Sequence, residues 1–174
     1  IRDKAADPLK IKNNFCKLRQ ITAGFLKVKK NGEVITIHFP ENVKLEALIS
    51  MIQRLPVGKK ALVFVEFIES GDMIAEALKE LGITYLRLYS KTKNKIDVKK
   101  QFVEDPKIKI FLVNITSGSS GLNLQRTCNY TFFYESPVRF MIRRQTIKRT
   151  HRGGQLYTTY CTDVLVKNSV DLRV

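Results

Sequence analysis

Residues 61–67 read ALVFVEF. The run is short, nearly continuous in apolar character and rich in β-formers, the pattern of a strand covered on both faces. Helix-spaced apolar residues follow (Ile74, Ala77, Leu78 and Leu81), with Ser70 as the expected cap and Gly82 as the stop. The alternation then repeats. Residues 85–89 read as a strand, 97–103 as a helix and 108–113 (IKIFLV) as a strand, followed by a Gly/Ser-rich loop. Residues 130–134 read as another strand, 138–150 as a helix and 156–161 as a last strand. Such a succession predicts parallel βαβ units and an α/β sandwich. Ligands in these sheets bind beyond the carboxyl ends of strands, which directs attention to the loops after Val113 and Tyr134.

Upstream, Leu45, Leu48, Ile49, Ile52 and Leu55 recur at helical spacing until Pro56 stops the run. Residues 1–42 read as a polar, Lys-rich lead-in. Asn31-Gly32 is a strong turn signal and residues 34–39 alternate apolar with polar, so a hairpin is expected there. The expected division is thus a lead-in over 1–42 and a lobe over 43–174, and the opening at Ile1 rather than Met suggests a piece of a longer protein.

A length of 174 residues suits one domain, and 44% hydrophobic residues suffice for a core. The charge is more telling: 31 Lys and Arg against 16 Asp and Glu leave a formal +15. That excess favours a polyanionic partner, most commonly nucleic acid. An anionic membrane would call for an amphipathic basic helix or a lipid site, and neither is seen; nor is a run long enough to span a bilayer. Cys16, Cys128 and Cys161 are odd in number, far apart and not in CxxC spacing. This argues against disulfides and zinc, suits a reducing cytoplasm, and predicts three small core or near-core residues. No metal-ligating set is read in the sequence.

Two segments carry chemistry. Residues 114–124, NITSGSSGLNL, follow a buried strand and offer Gly118 and Gly121 with hydroxyl and amide side chains. Backbone N–H groups of such a loop can approach phosphate oxygens closely, although many Gly/Ser loops are only turns. Residues 139–155, RFMIRRQTIKRTHRGGQ, hold six cations and no carboxylate. Arg149 and Arg152 are three apart, so on a helical path they project to one side, with Gln145 one turn earlier. Two guanidiniums aimed at one site can neutralise charge on a departing phosphoryl group. On the residues alone, a basic helix lying on solvent or a DNA backbone is an equal reading.

In order and separation, ALVFVEF (61–67), SGSSGLNL (117–124) and QTIKRTHRGGQ (145–155) closely resemble the second RecA-like lobe of superfamily 2 helicases. The ending resembles the Swi/Snf branch, whose sixth motif reads roughly Q-x-x-x-R-x-H-R-x-G-Q. Here that motif is Gln145, Arg149, His151, Arg152, Gly154 and Gln155. Leu18-Arg19-Gln20-Ile21 also resembles the segment leading into this lobe, so the likeness runs from residue 18 to 165.

The resemblance implies an α/β, RecA-like three-layer sandwich with a mostly parallel central sheet. It implies the C-terminal motor lobe of an ATP-dependent DNA translocase, a hydrolase only as part of the full-length protein. Arg149 and Arg152 would be the catalytic arginines, facing ATP held on an N-terminal RecA-like lobe, with Arg152 the finger. Gly121, Asn123 and Gln145 would contact the nucleotide. Thr116, Ser117 and the basic loop with Lys91, Thr92 and Lys93 would contact the backbone of double-stranded DNA. The family often has Ser-Thr at Asn114 and Ile115, and Ile115 cannot make that threonine's hydrogen bond, which is why Thr116 or Ser117 is put in its place. The glycine common after the preceding strand is missing from Tyr89-Ser90-Lys91-Thr92, and Gly153 replaces a branched apolar residue.

A P-loop needs G-x-x-x-x-G-K-[ST]. The near miss at Gly58-Lys59-Lys60 has Gln53 where the first Gly belongs and no hydroxyl after the Lys. No Asp-Glu pair for Mg²⁺ follows a strand. In the family both belong to the first lobe, so ATP and Mg²⁺ would be bound mainly there. The rival readings are a non-enzymatic nucleic-acid-binding module, and a lobe of a strand-separating helicase or restriction-enzyme motor. Few insertions point to a bacterial or viral source and a cytoplasmic setting.

Overall fold

A computed structural model of the chain describes residues 8–117 and 123–173, with side chains described from residue 13 onward. Gly118, Gly121 and the rest of the Gly/Ser-rich loop through Leu122 lie outside the described residues.

The chain begins with helix α1 (Pro8–Thr22), then a hairpin of β1 (Phe25–Lys30) and β2 (Glu33–His38), then helix α2 (Val43–Gln53). The hairpin turns at Asn31 and Gly32, both at positive φ (52° and 87°), which these residue types tolerate best. From there strand and helix alternate: β3 (Ala61–Val65), α3 (Ile68–Glu80), β4 (Tyr85–Leu88), α4 (Lys95–Glu104) and β5 (Ile110–Asn114). The remaining elements are β6 (Tyr130–Phe133), α5 (Phe140–Ile147), β7 (Tyr160–Asp163) and a 3₁₀ turn over Val170–Arg173.

Five strands form one parallel sheet in the order β4-β5-β3-β6-β7, with Ala61 opposite both Ile110 and Tyr130. Alternation along β3 explains the three layers. Ala61, Val63 and Val65 pack with Leu48 and Ile52 of α2 and with Ile74 and Leu78 of α3. Leu62 and Phe64 face the other way, into a cluster with Phe102 of α4, Phe111 and Phe133. Both faces are covered, so the strand carries no polar residue.

Several expectations are corrected. Helix α3 starts at Ile68 with Phe67 as its cap residue, so Ser70 lies inside the helix. Its hydroxyl donates instead to Glu135 Oε1 at 2.5 Å. The last strand is β7, later than 156–161, because pairing of Tyr130 with Tyr160 sets its register and leaves Leu156 and Tyr157 exposed before it. The cysteines are all free, but only Cys128 is buried; Cys16 and Cys161 are exposed.

Helix α1 was not anticipated, and its chemistry explains why. Its anchor is Arg19, only 4% exposed, whose Nη1 donates to Glu66 Oε2 and Nη2 to the Ser136 carbonyl, both at 2.7 Å. A helix fixed by a buried guanidinium leaves little apolar periodicity to read. Tyr134 fastens the lead-in further, donating its hydroxyl to the Ala23 carbonyl at 2.8 Å. Lys44 meets Asp171 at 2.6 Å, and Asp171 also accepts from the Thr22 hydroxyl at 2.8 Å. Among the described residues, no helix is long and apolar enough to cross a membrane.

Candidate functional site

Helix α5 descends from the carboxyl end of β6 and presents Gln145 before ending at Lys148. The chain then tightens: Arg149 N donates to the Thr146 carbonyl at 3.0 Å and Thr150 N to the Ile147 carbonyl at 3.2 Å. Thr150 Oγ1 bonds Thr131 Oγ1 at 3.1 Å, pinning this turn to β6. Arg149 and Arg152 therefore lie just beyond the regular helix. They still converge, because the bond from His151 N to the Ile147 carbonyl at 3.0 Å carries the helical winding one turn further. An open cavity of about 750 Å³ is lined by Gln145, Lys148, Arg149, His151, Arg152 and Gly153.

The end of the Gly/Ser-rich loop meets the same turn. Arg152 Nη1 donates to Asn123 Oδ1 at 2.9 Å, and Leu124 N donates to the Arg149 carbonyl at 3.1 Å. Burial, and then the neighbouring Arg152 charge, push the Arg149 pKa down. Among the described residues, no carboxylate lines the cavity. Two guanidiniums and amide side chains, with no anion of the protein's own among them, make a surface suited to phosphate.

The other candidates sit where neighbouring strands β4 and β5 end. Parallel strands deliver their following loops to one edge of the sheet, so Lys91–Lys93 and Thr116–Ser117 emerge at the same end. Lys91 and Lys93 are exposed, whereas Thr92 Oγ1 is engaged locally, accepting from Tyr89 N at 3.1 Å. Thr116 is exposed, and its hydroxyl donates to Asn114 Oδ1 at 2.5 Å. Ser117 N donates to the Asn114 carbonyl at 3.0 Å. Ile115 is buried in the second core cluster, which accounts for the apolar residue there.

Sequence reasoning missed a polar cluster beyond β3 and β6. Glu135, 2% exposed, accepts from Ser70 and from Glu66 N, the latter at 2.8 Å. Burial pushes its carboxyl up to about 7. The only signal was a Glu close behind each of two apolar strands, Glu66 directly after β3 and Glu135 two residues after β6. Arg143, counted among the six cations, makes two 2.6 Å bonds to Asp163. Burial pushes Asp163 up, but the Arg143 fork and the Ser136 hydroxyl outweigh it and hold that carboxyl below its ordinary value. Arg143 therefore braces α5 against β7. Among the described residues, no group of three or more His, Cys, Asp or Glu could hold a metal ion.

The helicase conserved C-terminal domain family matches residues 43–154. The chain belongs to that family. This helicase C-terminal domain is 33% identical over 137 residues to the DNA repair protein RAD5 of Yarrowia lipolytica. It is 30% identical over 150 residues to the helicase SWR1 of Candida glabrata. The matches cover 78% and 80% of this chain, but the chain spans only 13% and 10% of these curated relatives. The crystal structure of the C-terminal part of the Fun30 ATPase domain superposes with a TM-score of 0.72 at 26% identity, covering 79% of this chain and 46% of that one. The fold is thus RecA-like, and the resemblance to the Swi/Snf-type second lobe holds. The expectation of a bacterial or virus-infected cytoplasm is corrected: these relatives, with the DNA repair protein rad8 of Schizosaccharomyces pombe, come from eukaryotes.

Proposed function

We propose that this domain is the C-terminal motor lobe of an ATP-dependent, Swi/Snf-like DNA translocase, completing an ATP site whose other half lies on an N-terminal RecA-like lobe. The observation that carries this reading is the convergence of Gln145, Arg149 and Arg152 on one cavity with no carboxylate among its described lining residues, Arg152 being held by Asn123. In this reading residues 43–174 form the lobe and 1–42 lead into it. The partner lobe supplies the P-loop and the carboxylates that hold Mg²⁺. Gln145, with Gly121 of the Gly/Ser-rich loop, completes the nucleotide's surroundings, Asn123 stands against Arg152, and Arg149 grips the phosphates.

Arg152 is the finger. It faces charge that grows on the transferring phosphoryl group, so it favours the transition state over bound ATP. Lys91, Thr92, Lys93, Thr116 and Ser117 hold the backbone of double-stranded DNA at the other loops. Closing of the lobes on ATP and reopening after hydrolysis moves the protein along the duplex.

Arg152→Ala in the full-length protein tests the assignment. Turnover at saturating DNA should fall by about 10³- to 10⁵-fold, the worth of an arginine finger in other phosphoryl-transfer enzymes. ATP and DNA affinity should change little. If Arg152 instead lies on DNA, the variant will keep near-normal maximal turnover and lose DNA affinity.

A further inference from the structure

The side-chain oxygen of Asn123 is engaged with an arginine. It accepts from Arg152 Nη1 at 2.9 Å, while the next amide, Leu124 N, donates to the Arg149 carbonyl at 3.1 Å. Two bonds thus join the end of the Gly/Ser-rich loop to the turn that carries both arginines. The need for such a tie is physical. Arg152 is exposed, and a long arginine stem has many rotamers to choose among. Arg149 and Arg152 are like charges close enough for one to lower the other's pKa, and none of the described residues lining the cavity is a carboxylate. Left alone, the Arg152 guanidinium would swing away from its neighbour into solvent.

An amide oxygen is well matched to this task. It accepts a charge-assisted hydrogen bond, which fixes the plane of the guanidinium, yet it leaves the positive charge whole. A carboxylate would hold Arg152 more strongly but would cancel that charge and repel phosphates. We infer that Asn123 is a positioning residue: it acts on ATP hydrolysis by orienting Arg152, not by direct contact with the nucleotide. The inference rests on the reading of Arg152 as the finger given above.

A double-mutant cycle in the full-length protein, at saturating duplex DNA, tests it. Asn123→Ala should lower kcat by about ten- to a hundredfold, the order expected for losing one hydrogen bond to a charged group, with KM for ATP nearly unchanged. In the Arg152→Ala background, adding Asn123→Ala should cost nothing further, because the group it positions is gone. A raised KM with losses that multiply across the cycle would mean direct nucleotide contact and overturn the inference. Equal losses in both backgrounds, with lowered DNA affinity and melting temperature, would mean a purely structural loop role and also overturn it. If Arg152→Ala collapses turnover while Asn123→Ala keeps it, only the positioning role fails. If Arg152→Ala itself keeps wild-type turnover, the finger assignment fails and takes the inference with it.

Discussion

Glu135 is the residue whose charge state should report most clearly on the fold. Its ordinary value of 4.5 is pushed up to about 7 by burial, which outweighs the bonds from Ser70 and Glu66 N that favour the ionised form. The folded chain therefore binds this proton more tightly than the unfolded chain. Its contribution to stability is full below pH 4.5 and is lost as pH rises through about 7. Glu135→Gln keeps a neutral polar group of the same shape, so the variant should gain on the wild type as pH rises across that window, by up to about 1.4 kcal/mol per pH unit. Denaturant unfolding of both proteins at pH 5 and pH 8 measures the difference; a gap independent of pH would contradict the assignment. Site residues were legible here to different degrees. Gln145, Arg149 and Arg152 announced themselves by spacing and by the lack of nearby acid, and they share a cavity. The structural duty of Arg143 was not legible, because its partner Asp163 lies 20 residues away on another element.

At the scale of elements, the alternation from β3 to α5 was readable because burial on both faces forces continuous apolar runs in the central strands β3 and β5, whereas β7, exposed or half-buried, gave no such run. What periodicity could not supply was the way the ends close. Helix α1 is held by Arg19, and the 3₁₀ turn over Val170–Arg173 by Asp171, which accepts from Lys44, Thr22 and Val166 N. These are polar, long-range contacts, and no local pattern encodes them. Lys44 and Asp171 are almost fully buried, so removing one partner strands the other. Asp171→Ala should destabilise the domain by about 3–5 kcal/mol, whereas Lys44→Met combined with Asp171→Leu should recover the part of that loss that comes from the stranded Lys44 charge. Urea midpoints of the three proteins check this. A loss below about 1 kcal/mol for Asp171→Ala would place the pair with weak surface contacts.

For the whole molecule, a formal charge of +15 and basic loops at one end of the sheet predict DNA binding without sequence preference. Each neutralised phosphate contributes about −0.9 to the slope of log K against log salt, so four contacts would give about −3.6. A titration that shows no salt dependence would remove DNA as the partner of these loops. The central claim is that this domain holds half of an ATPase site. It brings arginines together but, in its sequence, offers neither a P-loop nor a carboxylate pair for Mg²⁺. The direct measurement is steady-state ATP turnover, with and without duplex DNA, by the isolated chain and by the full-length protein. The isolated chain should show no measurable turnover, and the full-length protein should show DNA-stimulated turnover. Robust DNA-stimulated hydrolysis by the isolated chain would contradict the claim.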